Sequence, residues 1–323
     1  MIRGVKKVHQ LTLHPHLGIA LMIAGENRQL VSCSLRQLKS NAVAAECSRP
    51  AINTKAVLTG TDSYHLYQLQ RDMLCAATES HVILLKWYIE DDSGEFIVVR
   101  ELETSEPCSC AIFTQNVLIV GCNKFFQIDL KNYCVDEFPE EDDSSVKAAL
   151  SGVAKLGIFP VCVLNVSLVP GKVELLLCYN EFGMFVNESG QRTRNIDPTW
   201  NHLPFAFAFR KPYLFVIHFS SVEIVKLDQD TYTLSKSPER ILIELSSLRY
   251  LGAAGSKGIY ITAMNSFLEL LKIEGSSIIP ESNGSLTSLD TLNQEDESSS
   301  EFSFTSSLME ALDGQGKKES QKN

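Results

Sequence analysis

Six times along this chain an apolar, β-rich run gives way to a short polar turn and then to a second apolar run. The six stretches are residues 18–35, 73–88, 116–130, 173–191, 213–228 and 258–275. Two of them read NVLIVGCNKFFQIDL and GIYITAMNSFLELLKIEG. The turns centre near Glu26, Ser80, Asn123, Glu181, Ser220 and Asn265, roughly 40–60 residues apart. Short runs rich in Val, Ile, Leu, Phe and Tyr, joined by small or polar residues, predict β-hairpins. A further strand is expected before the hairpins, at 8–13, 65–69, 108–113, 161–169, 204–209 and 248–253. A fourth, more polar strand is expected at 96–102 and 240–245.

Three or four antiparallel strands every ~40–50 residues is the blade period of a β-propeller. Stacked immunoglobulin-like sandwiches would need about 100 residues and seven strands per unit. A β/α solenoid would need helical periodicity between the strands, and there is little. Such a unit is too short to bury its own sheet faces, so neighbouring units must supply the core. Residues 1–275 therefore read as one all-β propeller domain. Two stretches break the rhythm. Residues 137–156 hold an acidic loop, EFPEEDDSS, followed by VKAALSGVAKL, where a short helix is expected. Residues 276–323 hold 12 serines, nine Asp/Glu and three Lys/Arg, so this acidic, Ser-rich tail is expected to be disordered.

Charge and cysteine content narrow the function classes. With 29 Lys/Arg against 39 Asp/Glu the net charge is −10, and no dense basic patch offers itself to nucleic acid. No apolar run reaches the ~20 residues of a spanning helix, so no integral membrane segment is expected. The N-terminus lacks the apolar run of a signal peptide. Nine scattered cysteines without a secretory signal read as free thiols in a reducing compartment, and a cytoplasmic location is expected.

No constellation asks for catalysis, and no cofactor or metal is expected. His14-Pro-His16 would place two rings on one face of a strand, but no third ligand is near in sequence. Cys108-Ser-Cys110 lacks zinc or thioredoxin spacing. The stretch 252–258, GAAGSKG, matches neither a Walker loop nor a dinucleotide fingerprint, and a hairpin connection is expected there. The Gly-rich loop, His-Arg-Asp and Asp-Phe-Gly motifs of protein kinases are absent from the sequence. The best candidate surface is NESGQRTR at 187–194. Gly190 suits the positive φ of a tight turn. Arg192 and Arg194 alternate, so in a strand both would point to one side and could bind a partner's carboxylates. The competing reading is a hairpin tip with solvated arginines.

The run LCYNEFGMFVNESGQRTR at 177–194, Trp200, LPFAFAFRKPYLFVIHFSSVEIVKL at 203–227 and RYLGAAGSKGIYIT at 249–262 together resemble the citron homology (CNH) domain. The citron-kinase form, the C-terminal domain of citron-type Rho-interacting kinases, is the most similar. The resemblance covers about residues 5–275 and is weak only near 54–70. It implies a seven-bladed propeller without catalysis of its own. It also implies a protein–protein interaction module for Rho-family small GTPases or cytoskeletal and cytokinesis partners, placed at the cleavage furrow or midbody. A propeller scaffold in vesicle tethering or trafficking is the alternative. KKVHQLTL with IAGENRQL is similar to the family's second repeat, so a first blade is expected to be missing. The chain then reads as a fragment, a short isoform or an incomplete gene model.

Overall fold

The computed structural model describes residues 5–43, 51–60, 63–90, 93–139, 157–227, 240–264 and 268–275. Among the described residues, twenty-two strands fall into six antiparallel sheets in sequence order. Blade 1 holds β1 (Val8–His14), β2 (Ile19–Ala24), β3 (Gln29–Ser34) and β4 (Lys55–Ala56). Blade 2 holds β5 (Leu66–Gln70), β6 (Met73–Ala77), β7 (His81–Glu90) and β8 (Ser93–Glu103). Blade 3 holds β9 (Cys110–Phe113), β10 (Val117–Gly121), β11 (Phe125–Asp129) and β12 (Val135–Glu137). Blade 4 has β13 (Pro160–Asn165), β14 (Leu175–Tyr179) and β15 (Gly183–Val186). Blade 5 has β16 (Pro204–Arg210), β17 (Tyr213–His218), β18 (Ser221–Lys226) and β19 (Arg240–Glu244). Blade 6 has β20 (Arg249–Ala254), β21 (Gly258–Met264) and β22 (Leu268–Glu274).

The first strands of successive blades lie side by side. β5 runs against β9, β9 against β13, β13 against β16, and β16 against β20. Blade 1 joins blade 2 through Gln10, whose amide donates to the Tyr67 carbonyl at 2.9 Å and accepts from its N–H at 3.2 Å. The result is a six-bladed propeller arrangement among the described residues.

Each blade is held by its neighbours, and the second strands show how. Successive strand residues point to opposite faces. In β17, Leu214 and Val216 pack toward blade 4 with Leu176 and Cys178, whereas Phe215 and Ile217 pack toward blade 6 with Ile259 and Ile261. In β6, Leu74 and Ala76 face blade 1, while Cys75 and Ala77 face blade 3. A strand buried on both faces must be apolar at every position, which is why these runs do not alternate in sequence. Five clusters of buried apolar side chains fill the five interfaces between successive blades.

Helix α1 (Leu35–Val43) was not expected from the sequence. It follows β3, and its Leu38 packs against Ala20, Met22 and Cys33 on the face of blade 1 turned away from blade 2. The other expected strands sit within a few residues of their predicted places. The helix expected at 146–156, the turn at Asn265 and the tail 276–323 lie outside the described residues.

Candidate functional site

Residues 187–194 follow β15 and close blade 4. Asn187 organises the turn. Its side-chain carbonyl accepts from the N–H groups of Ser189 at 3.0 Å and Gln191 at 2.9 Å, and its backbone carbonyl accepts from Gly190 N–H at 3.0 Å. Gly190 has φ +78°, the left-handed region that favours glycine. A Cβ there would also stand 2.9 Å from the Cβ of Pro139 in the neighbouring blade. The turn is thus fixed by backbone conformation and by a close approach together.

The two arginines do not form the free, same-side pair expected from their alternation. No strand forms at 190–194; Arg192 makes only an isolated bridge with Val186. Arg194 is 5% exposed and meets Glu174, itself 4% exposed, through two hydrogen bonds. Its Nε donates to Oε1 at 3.1 Å and its Nη2 to Oε2 at 2.6 Å. Its guanidinium also stacks 4.1 Å over the Phe185 ring. Arg192 pairs with Asp197 at 2.5 Å. The carboxylates imagined on a partner are thus supplied by the chain itself. A bidentate buried pair of this kind locks the 187–194 segment onto the start of β14.

The two acids respond in opposite senses. Burial pushes the Glu174 carboxyl up, but hydrogen bonds from Arg194 and Thr193 outweigh it and hold its pKa below the ordinary 4.5. At Asp197 burial outweighs the attraction of Arg192, and the pKa rises above 3.8.

The other motif residues have structural roles. His14 and His16 stand edge to face with ring centroids 6.0 Å apart, and each hydrogen-bonds elsewhere, His14 to Thr12 and His16 to the Arg71 carbonyl. Among the described residues no three His, Cys, Asp or Glu side chains gather closely enough to hold a metal ion. Cys108 and Cys110 lie between blades, with Cys75 and Cys122 near Cys108. Burial pushes the thiols of Cys75 and Cys162 up to about 12, so they stay protonated and poorly nucleophilic. Residues 254–258 form the turn joining β20 to β21, with Ala254 opposite Gly258. Trp200 donates from its indole to the Tyr179 carbonyl at 2.8 Å and packs on Phe207.

One polar cluster escaped the sequence reading. On the blade 4 side of blade 5 lie His218, Ser221 and Glu223, with 1%, 2% and 1% of their surface exposed. Arg240, brought in from β19, donates to Glu223 Oε1 at 2.9 Å and to the Thr199 carbonyl at 2.8 Å. His202 contacts the His218 ring edge to face at 5.7 Å. A concavity of about 400 Å³ opens beside them, lined by His202, Ser221, Leu242, Glu244 and Leu245 among others. The signal was present in the run VIHFSSVEIVKL, where a glutamate interrupts an otherwise apolar strand.

Comparison with known proteins adds to this geometry. A family model described as "CNH domain" matches residues 1–242. The chain is similar to "Citron Rho-interacting kinase" of Mus musculus, 36% identical over 267 residues, 81% of this chain and 13% of that protein. It is also similar to "Rho1 guanine nucleotide exchange factor 1" of Schizosaccharomyces pombe, 27% identical over 145 residues, 43% of this chain and 10% of that protein. The chain thus spans about an eighth of the length of the mouse protein. Among solved structures, "AfRom2 CNH domain" superposes with a TM-score of 0.63 at 19% identity, covering 84% of this chain and 81% of that one. That likeness shows the propeller fold.

Proposed function

We propose that this chain, which belongs to the CNH domain family, works as a non-catalytic protein–protein interaction module of the citron kinase type. Its partners in this reading are Rho-family small GTPases or the cytoskeletal and cytokinesis proteins that act with them. The observation that carries the reading is the shared thread of the relatives. A Rho-interacting kinase and a Rho1 exchange factor are otherwise different proteins, and both match this propeller. A cytoplasmic site of action at the cleavage furrow or midbody belongs to the same proposal. So does the division into a propeller at 1–275 and a tail at 276–323.

Gly190, Arg192 and Arg194 enter the proposal as the brace of a contact surface. With both arginines held by Asp197 and Glu174, the turn they support presents Glu188, Ser189 and Gln191 to solvent. The near-neutral propeller supplies little long-range field, so affinity would rest on local contacts and show mainly in dissociation. The test is binding of the full chain to purified Rho-family GTPases loaded with GDP or with a non-hydrolysable GTP analogue. Saturable binding that prefers one nucleotide state is expected. Ser189→Trp, which leaves both ion pairs in place, should speed dissociation without shifting thermal unfolding. Absence of binding to any loaded GTPase of the family overturns the reading.

A further inference from the structure

We propose that residues 301–306 pair with the outer edge of β22 and form the fourth strand of blade 6. The third strands of the other blades show what such an edge takes. β3, β7, β11 and β18 each pair on their outer side with the next strand in sequence, antiparallel. In blade 4 the chain beyond β15 takes that place. Arg192 bridges Val186 and Thr199 bridges Phe182. The N–H groups of Gly183 and Thr193 donate to the carbonyls of Pro198 at 2.8 Å and Phe185 at 3.0 Å. Among the described residues, β22 is the one third strand with neither a strand nor a bridge on this side. The chain runs on past it through residues 276–323.

The core between blades 5 and 6 has room for apolar side chains at that edge. Ile273 of β22 is buried in it, but Leu271 of β22 and Ile241, Ile243 and Leu245 of blade 5 are only partly buried against it. In blade 2 the fourth strand fills the corresponding place, where Phe96 of β8 packs against the core between blades 1 and 2. One run after Gly275 can do the same, Glu301-Phe302-Ser303-Phe304-Thr305-Ser306. Alternation puts Phe302 and Phe304 on one face and Ser303 and Thr305 on the other. The other apolar groups after Gly275 fit a strand less well. Ile278 and Ile279 are adjacent, so a strand would send them to opposite faces, and Pro280 beside them removes a ladder donor. Leu286, Leu289 and Leu292 recur every third residue, which is not the period of a strand.

The run can reach the edge. Links from third to fourth strands extend from residues 91–92 in blade 2 to residues 35–54 in blade 1. Residues 276–300 can span up to ~80 Å, against ~23 Å for the length of β22, and added loop length costs little entropy. Backbone bonds with two aromatic anchors are the means by which an extended segment joins a sheet edge. The added strand lies in the plane of the sheet, so Tyr260 and Met264 on the open face stay exposed. The inference does not depend on which partner the propeller binds.

The test is amide hydrogen exchange of the full chain at pH 7, corrected for intrinsic rates. Residues 302–306 should exchange ~10-fold more slowly than residues 313–320. The double variant Phe302→Ser, Phe304→Ser should abolish that slowing and speed exchange in β22, with β17 unchanged as the sign of an intact propeller. Ser303→Pro keeps both rings but disrupts the ladder, and should have the same two effects. Equal rates for 302–306 and 313–320 in the parent overturn the proposal, as does β22 exchange that neither variant alters. Slowing that vanishes on dilution assigns the edge to a second copy, and slowing that appears only with an added partner protein assigns residues 301–306 to that partner. Either result overturns pairing within the chain.

Discussion

Blades 5 and 6 are built from similar hairpins, yet their sheets are buried to different depths. In blade 5 every residue of β17 is buried, because blade 4 covers one face and blade 6 the other. In blade 6 the described residues cover only one face. Ile259, Ile261 and Ala263 of β21 pack into blade 5, while the alternate residues Tyr260 and Met264 stay exposed, as do Leu251 of β20 and Leu270 of β22. Blade 1 has the same problem and a different remedy. Its face turned from blade 2 is partly covered by α1, though Leu11 and Leu13 of β1 remain exposed. The lesson is that a blade here has no core of its own. Its stability is borrowed from whichever sheets lie against its two faces.

The largest effect should follow from breaking a doubly covered sheet. Phe215 is fully buried at the blade 5–blade 6 interface. Phe215→Ala removes most of a ring from a packed layer and should cost ~3–5 kcal/mol. Urea unfolding followed by fluorescence measures this directly. A cost below ~1 kcal/mol would mean that the two sheets do not pack as described.

The second test moves from apolar packing to the buried ion pair of blade 4. Removing one member of such a pair leaves the other charge without compensation, so Glu174→Gln should cost ~3–5 kcal/mol at pH 6.5. The pH dependence carries a sign. The folded pKa of Glu174 is lowered, so its stabilising contribution is full above its ordinary value of 4.5 and is lost as pH falls through the lower folded value. The gap between the parent chain and Glu174→Gln should therefore narrow on acidification. Asp197 differs because burial raises its pKa above 3.8. Its charged form is penalised in the fold, and protonation on acidification relieves the penalty. The gap between the parent and Asp197→Asn should move in the parent's favour as pH falls. Urea midpoints between pH 6.5 and 3.5 for the three proteins decide it, and parallel curves would contradict both assignments.

How far the sequence could be read follows from the same difference between packing and pairing. The blades were legible because a doubly buried strand leaves an unbroken apolar run, as at β14 and β17, and the turns between runs recur. The strand expected at 161–169 overshoots β13, which ends at Asn165. Val166 and Leu168 beyond it are still buried between blades 4 and 5, so burial extends the apolar signal past the ladder. Strand β4 is two exposed residues long, too short to show a period. Helix α1 has nine residues and an incomplete apolar stripe, and its role is to cover a blade face that no local pattern reveals. Arg192 and Arg194 could be singled out but not placed. Their partners Asp197 and Glu174 depend on how the segment folds back on β14, and alternation applies only where a strand forms. The His218–Glu223–Arg240 cluster was hidden for a related reason. Arg240 reaches Glu223 only through the pairing of β18 with β19 across residues 227–239.

The smallest expected effect lies on the uncovered face of blade 6, and it sharpens the comparison most. Met264 is 50% exposed and Leu270 43%. Among the described residues β22 is also the edge strand of its sheet, so its outer backbone groups border this apolar surface. Changing exposed side chains away from caps, pairs and cores typically alters stability by no more than ~0.5 kcal/mol. The double variant Met264→Lys, Leu270→Thr should stay within that range in urea unfolding. An apolar face beside an edge strand also invites contact between copies, and a lysine there opposes it. Light scattering of concentrated samples should show weaker self-association in the double variant than in the parent. If the variant instead loses stability on the scale of Phe215→Ala, this face is covered in solution, and blade 6 would have two neighbours as blade 5 does.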